Sequence, residues 1–213
     1  MTEPAPAEGY AVRMQVDAPE APLNRLTTAF RIIVAIPILI VLSLVNSASM
    51  SWSRNGQGHG LAAVGGLLFF GPLVMILFRE KYPRWWFDWN VALLCFINRV
   101  GIYMLLLRDE YPSTDAEQAL HLDIDYPDVP NELNRWMPLV KWFLAIPHYV
   151  VLFFLTIAAV VSVVIAWFAI LFTGRYPTGL FDFVVGVMRW HNRVIGYAYI
   201  LVTDRYPPFS LSA

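Results

Sequence analysis

The feature that most restricts this chain is that it repeats itself. Leu23-Asn24-Arg25 followed by Ala35-Ile36-Pro37 returns as Leu133-Asn134-Arg135 and Ala145-Ile146-Pro147, at an offset of 110. Tyr82-Pro83, Phe87-Asp88 and Asn98-Arg99-Val100 return as Tyr176-Pro177, Phe181-Asp182 and Asn192-Arg193-Val194, at an offset of 94. Five anchors in one order, twice, predict a tandem duplication, and a duplication sets the architecture before any single element does. Ahead of each copy, apolar and polar residues alternate over 12–17 and 120–125, the period of a half-buried strand. A lone strand leaves its backbone unpaired, so the two are expected to pair with one another. The expected division is a lead over 1–9, unit one over 10–112, a linker over 113–117, unit two over 118–208 and a tail over 209–213.

Composition says where such units live. Hydrophobic residues make up 58% and charged residues 15% of the chain, against roughly 45–50% and 25% in soluble domains. The apolar runs 32–45, 61–78 and 149–172 reach or approach bilayer-crossing length, so an integral membrane protein is expected. The polar, Pro/Ala-rich start lacks the basic-then-apolar pattern of a signal peptide, which predicts a cytoplasmic amino terminus. A single cysteine, Cys95, excludes an internal disulfide and a cysteine metal cluster. A net charge of −1 gives no case for nucleic acid.

The fall in offset from 110 to 94 places 16 extra residues in unit one, opposite Leu155-Thr156 of unit two. A polar insert at mid-membrane would strand backbone groups without partners, whereas a hairpin tip accepts one cheaply. Each unit is therefore expected to hold a membrane helical hairpin, with 48–60 as the extended far-side tip of the first. Arg25, Arg79, Lys81, Arg84, Arg108, Arg135, Arg175 and Arg205 flank the hairpin bases and Arg54 alone sits at a tip. The positive-inside tendency then puts the bases and both termini in the cytoplasm. A third helix follows in each unit, about 85–107 and 180–202, bounded by Tyr-Pro pairs at Tyr82, Tyr111, Tyr176 and Tyr206. Proline ends helices and tyrosine favours headgroups. These tyrosines, with Trp85, Trp86, Trp89, Trp136 and Trp142, are the expected interface anchors.

The string Phe168-Ala169-Ile170-Leu171-Phe172-Thr173-Gly174-Arg175-Tyr176-Pro177, the Ala145-Ile146-Pro147-His148 motif and the closing Thr203-Asp204-Arg205-Tyr206-Pro207-Pro208-Phe209-Ser210 carry a resemblance. The chain resembles the bacterial membrane family called domain of unknown function 4389, in two tandem copies. Unit one departs from the pattern by its Gly-rich tip and by Arg79-Glu80-Lys81 in place of Thr-Gly-Arg. The resemblance implies a bacterial inner-membrane protein with no assigned activity and no catalytic residues to carry over.

Candidate chemistry is sparse. Asp182, Arg189 and Arg193 lie near one line of a helix, and Asp88 and Arg99 repeat the outer pair. This reads as an amphipathic interfacial helix with a wet stripe in preference to an ion path. If the third helices run antiparallel, Asp88 is expected to meet Arg193 and Asp182 to meet Arg99. His59, His121, His148 and His191 fall in separate segments, without the convergence a metal needs. The acids of 109–128, Asp115 among them, match no calcium loop. No nucleophile elbow, phosphate loop or zinc motif is present. The expected fold is mainly α and membrane-embedded, each unit a short strand, a hairpin and an interfacial helix, with a small two-stranded cytoplasmic sheet. The expected role is a non-enzymatic accessory or scaffolding membrane subunit, without cofactors, that binds a larger assembly or organises lipid. Its partners are membrane lipids and a membrane protein or a second copy. The alternative is a small transporter or lipid-binding protein with its site at the seam between the units.

Overall fold

The computed structural model describes residues 9–47, 64–114 and 116–212. The expected tip over 48–60, with Arg54 and His59, and Asp115 lie outside the described residues. Strand β1 (Val12–Val16) pairs antiparallel with β2 (Leu120–Ile124), as their patterns require, in a register that matches Val12 with Ile124 and Val16 with Leu120. The central pair, Met14 and Leu122, occupies corresponding places in the two units.

Unit one continues with α1 (Arg25–Ala29), α2 (Arg31–Ser47), α3 (Val64–Arg79) and α4 (Arg84–Met104). Unit two has α5 (Val129–Glu132), α6 (Met137–Leu144), α7 (Ile146–Thr173) and α8 (Thr178–Ile195), followed by one π-helical turn over Gly196–Ile200. The local causes are readable. Asn24 Oδ1 caps α1 by accepting from the Leu26 and Thr27 amides at 2.9 and 3.3 Å. Pro83 and Pro177, both extended, precede α4 and α8, which proline can start but not continue. Gly174, at φ +74°, closes α7 in the left-handed conformation glycine adopts without strain. From Tyr197 to Leu201 unit two carries one residue more than unit one has from Tyr103 to Leu106, and the π turn absorbs it.

α7 overturns the expected hairpin of unit two. It runs unbroken for 28 residues, about 42 Å, with no bend at Leu155-Thr156. The cause lies in the sequence: from Tyr149 to Thr173 there is no glycine, proline or charge to stop a helix. The segment before α2 packs on the carboxyl end of α7, where Trp167 Nε1 donates to the Thr28 carbonyl at 3.1 Å. The end of α3 lies instead against the start of unit two, where the Arg135 guanidinium donates to the Leu77 carbonyl and pairs with Glu80 at 3.3 Å.

The Arg193 end of the stripe expected to be wet on α8 is covered. α8 is a central helix, packed on one side by α7 and on the other by β1. It buries Val184, Val185, Trp190, Asn192 and Arg193. Its polar residues are satisfied internally, as described below. α7, by contrast, turns Phe153, Phe154, Val161, Ile165, Phe168 and Phe172 outward. It is the one described helix long and apolar enough to span a membrane.

Candidate functional site

The two units meet at a pair of asparagines. Asn98 Nδ2 donates to Asn192 Oδ1 at 2.7 Å, and Asn192 Nδ2 donates back to Asn98 Oδ1 at 2.8 Å. The two asparagines stand at corresponding positions of the sequence repeat, and Asn192 Nδ2 also lies 3.2 Å from the Met14 sulfur. Each amide bonds one helical turn back as well, Asn98 to the Leu94 carbonyl and Asn192 to the Met188 carbonyl, both at 2.8 Å. A buried amide left without partners costs about 1–3 kcal/mol, and this arrangement satisfies both at once.

On either side of the seam stands a buried cation, and the two surroundings match group for group. In unit one Arg31 pairs with Asp109, donates to the Arg108 carbonyl at 2.8 Å and lies 4.2 Å from the Tyr103 ring centre. In unit two Lys141 lies 2.8 Å from Asp204, donates to the Thr203 carbonyl at 2.7 Å and sits 5.2 Å from the Tyr197 ring centre. The second oxygen of each carboxylate accepts a backbone amide at 2.6 Å, from Asn24 in one case and Asn134 in the other. Leu106 and Leu201, both at positive φ, turn the chain so that carbonyl and carboxylate converge on the cation. Burial pushes the Lys141 ammonium below its ordinary value, with Asp204 opposing. With every partner internal, these cages clamp the start of an apolar helix to the end of α4 or of the π turn. Arg31 Nε and the Tyr197 hydroxyl are buried there with no hydrogen-bond partner.

Sequence reasoning missed the cages. Their signal is present in Arg31 and Lys141 at offset 110. The acids, however, match at 95 and not 94, because the π turn inserts one residue between the helix anchors and the carboxylate.

Beside the asparagines α4, α7, α8 and the π turn border an open apolar cavity of about 620 Å³, lined in part by Leu93, Ile97, Leu152, Phe153 and Val194. A lobe of about 250 Å³ shares Leu94, Ile97, Thr156, His191 and Ile195 with it. Polar groups are few. Thr156 Oγ1 lies 3.5 Å from His191 Nε2. Asn90 donates to the Tyr82 hydroxyl at 3.1 Å, and its buried carbonyl oxygen has no protein partner.

The predicted charge exchange is not formed among the described residues. Asp88 pairs with Arg84 at 3.3 Å on the surface, and Asp182 is exposed. Arg99 donates to the Ser113 carbonyl at 2.8 Å, and Arg193 donates to the Ser210 and Ser212 carbonyls. The geometric reason is the crossing itself. An antiparallel contact centred on Asn98 and Asn192 sets position 88 opposite 202, several residues beyond Arg193.

Two expected anchors are core residues. Tyr82 and Tyr176 are buried, each edge-on to the phenylalanine five residues ahead, Phe87 at 5.9 Å and Phe181 at 5.8 Å. Trp86 is half-buried against Gly71, where a Cβ would come within 2.3 Å of the ring. Tyr111, Tyr206, Trp85, Trp89, Trp136 and Trp142 are exposed. His148 is buried, accepting from Trp190 Nε1 at 3.1 Å and stacked on Phe209, while His121 pairs with Asp17. Among the described residues no three His, Cys, Asp or Glu side chains converge as metal ligands.

The family model described as domain of unknown function (DUF4389) matches residues 135–210, within unit two. No curated protein and no solved structure matches the chain.

Proposed function

We propose that this chain is two tandem copies of the DUF4389 unit, embedded in the bacterial inner membrane by its helical layer, and that it is a non-enzymatic protein that holds lipid at the seam between the copies. The observation that carries the reading is the outward face of α7. Only 22% of its most apolar stretch is buried, whereas a core helix of a soluble protein hides such a surface. Each exposed apolar Å² costs about 25 cal/mol in water, and contiguous patches this large mark a membrane or partner face.

Duplication is supported by the paired asparagines, the symmetric strand register and the matched cation cages, although unit one lies outside the family match. Exposed Trp85, Trp136, Trp142, Tyr111 and Tyr206 suit the headgroup zone. Gly9–Val16 and the chain from Arg205 onward lie together beside the sheet, where Tyr10 donates to the Arg205 carbonyl at 3.1 Å. In this reading that face is the aqueous, cytoplasmic one. The seam cavity, apolar with a few polar groups, suits an acyl chain.

The test is native mass spectrometry of the chain purified from its membrane in mild detergent. Co-purifying phospholipid is expected, and the exposed Thr156→Trp change, which fills the cavity, should remove most of it. A stoichiometric protein partner in place of lipid would favour the accessory-subunit reading. Lipid retained in full by the tryptophan variant would contradict the seam as the site.

A further inference from the structure

We propose that unit two carries a binding pocket for a phosphate-type anion at a position that unit one has closed. The pocket, about 560 Å³, lies between β1, α8 and the tail and is lined by Arg189, Arg193 and Arg205, with no carboxylate among the described residues that line it. Arg13, also in the lining, is occupied by Asp125 through two bonds at 2.7 and 2.9 Å. The corresponding pocket of unit one has shrunk to about 10 Å³.

Residue by residue the difference has a cause. Arg99 stands where unit two has Arg193, Gln118 where it has Tyr10, Glu110 where it has Arg205, and Cys95 where it has Arg189. In unit one Glu110 pairs with Arg108 at 3.0 Å and accepts the Ala119 amide at 3.3 Å. Gln118 bridges the Ser113 amide and the Tyr111 carbonyl. That site is filled and its charge compensated from within. Unit two exchanges the acid and the thiol for arginines, and three guanidiniums face one cavity.

Among the described residues these guanidiniums hydrogen-bond carbonyls and form no ion pair, Asp182 acting on Arg189 only at a distance. Arg189 donates to the Met14 and Leu211 carbonyls at 3.0 and 2.8 Å, and Arg205 to the Gly9 carbonyl at 3.4 Å. Arg193, 4% exposed, donates to the Ser210 and Ser212 carbonyls, and its buried Nε has no partner. Burial lowers the affinity of Arg189 and Arg193 for their protons, and Arg189 adds repulsion at Arg193. Like charges so placed call for a counter-anion, and guanidinium forks match phosphate oxygens two at a time. Arg189 and Arg193 point to the opposite side of α8 from His191 and Ile195, which line the seam cavity, so this pocket does not rest on the lipid reading. A phospholipid headgroup and free phosphate present the same chemistry to it.

The test is calorimetric titration of the full chain in neutral detergent, with inorganic phosphate and separately with short-chain phosphatidylglycerol. At least one probe should bind. Arg205→Glu, which installs the residue of unit one, should weaken that binding at least about tenfold, and Arg205→Gln by less. Arg175→Glu, an equal charge change at an exposed residue outside the pocket, should leave it within about twofold, a margin set by screening. Phosphate binding identifies a site for the free anion, and phosphatidylglycerol binding alone identifies a headgroup site. Binding of neither probe, or equal losses in Arg205→Glu and Arg175→Glu, overturns the proposal.

Discussion

The two cation cages are built from the same parts yet differ in the cation and in its depth. Arg31 keeps 3% of its side chain exposed beside an Asp109 that is 29% exposed, whereas Lys141 is fully enclosed beside an Asp204 at 19%. Arginine spreads its charge over a fork, and each cation keeps its backbone carbonyl, that of Arg108 or of Thr203, if the acid is removed. Lysine is a point charge that depends more heavily on Asp204. The polar joints match at the two places, while the apolar stretches differ: one is a single 28-residue helix, Ile146–Thr173, and the other includes the helices Arg31–Ser47 and Val64–Arg79.

The largest effect that tests this contrast is removal of the acid. Asp204→Asn leaves a fully buried ammonium with the Thr203 carbonyl but no countercharge and should cost about 3–5 kcal/mol of stability. Asp109→Asn, with its arginine still bonded and its site wetter, should cost about 1–2 kcal/mol. Chemical denaturation in detergent measures both, and equal losses would show that the cages are energetically the same.

Next come the seam asparagines. Asn98→Ala and Asn192→Ala should each cost about 1–3 kcal/mol by leaving the other amide unsatisfied. The double variant should cost clearly less than the sum, with a coupling of about 1 kcal/mol in a double-mutant cycle. Strict additivity would mean the ring is not a unit.

Two glycines near the ends of α4 and α8 should also respond differently. Gly196→Ala would press a methyl to 2.5 Å from Val12 Cγ2 and should destabilise by about 1–3 kcal/mol. Gly101→Ala meets only the flexible end of Met188 at 3.3 Å and should fall between neutral and a gain of about 1 kcal/mol, from helix propensity. The smallest effect belongs to the sheet edge. Removing Arg13 or His121, whose partners Asp125 and Asp17 are more than half exposed, should each change stability by less than about 1 kcal/mol.

What the sequence disclosed follows from which signals are local. Alternation located both strands, and the repeat paired them. Pro83 and Pro177 marked the starts of α4 and α8 to within two residues. The hairpin inference failed because an insertion in one copy says that its chain tolerates a loop there, not that the other copy turns there. An apolar stretch without breakers has no reason to turn. The anchor reading of Tyr82 and Tyr176 failed because Tyr-Pro describes a helix start equally well when the ring packs inward on a phenylalanine. The cages were hidden by a single-residue shift in register, and the arginine pocket by residues that come together only when β1, α8 and the tail fold against one another.

The central claim is that the α7 face is in lipid while the sheet face is in water. The direct measurement is spin-label accessibility in phospholipid vesicles, with single cysteines at Val161 on α7 and Gln15 on β1, in a Cys95→Ser background. Both positions are exposed. The account predicts that a label at 161 is relaxed strongly by oxygen and weakly by a water-soluble nickel chelate, with the reverse at 15. Strong relaxation of both labels by the nickel chelate would place α7 in water and contradict the account.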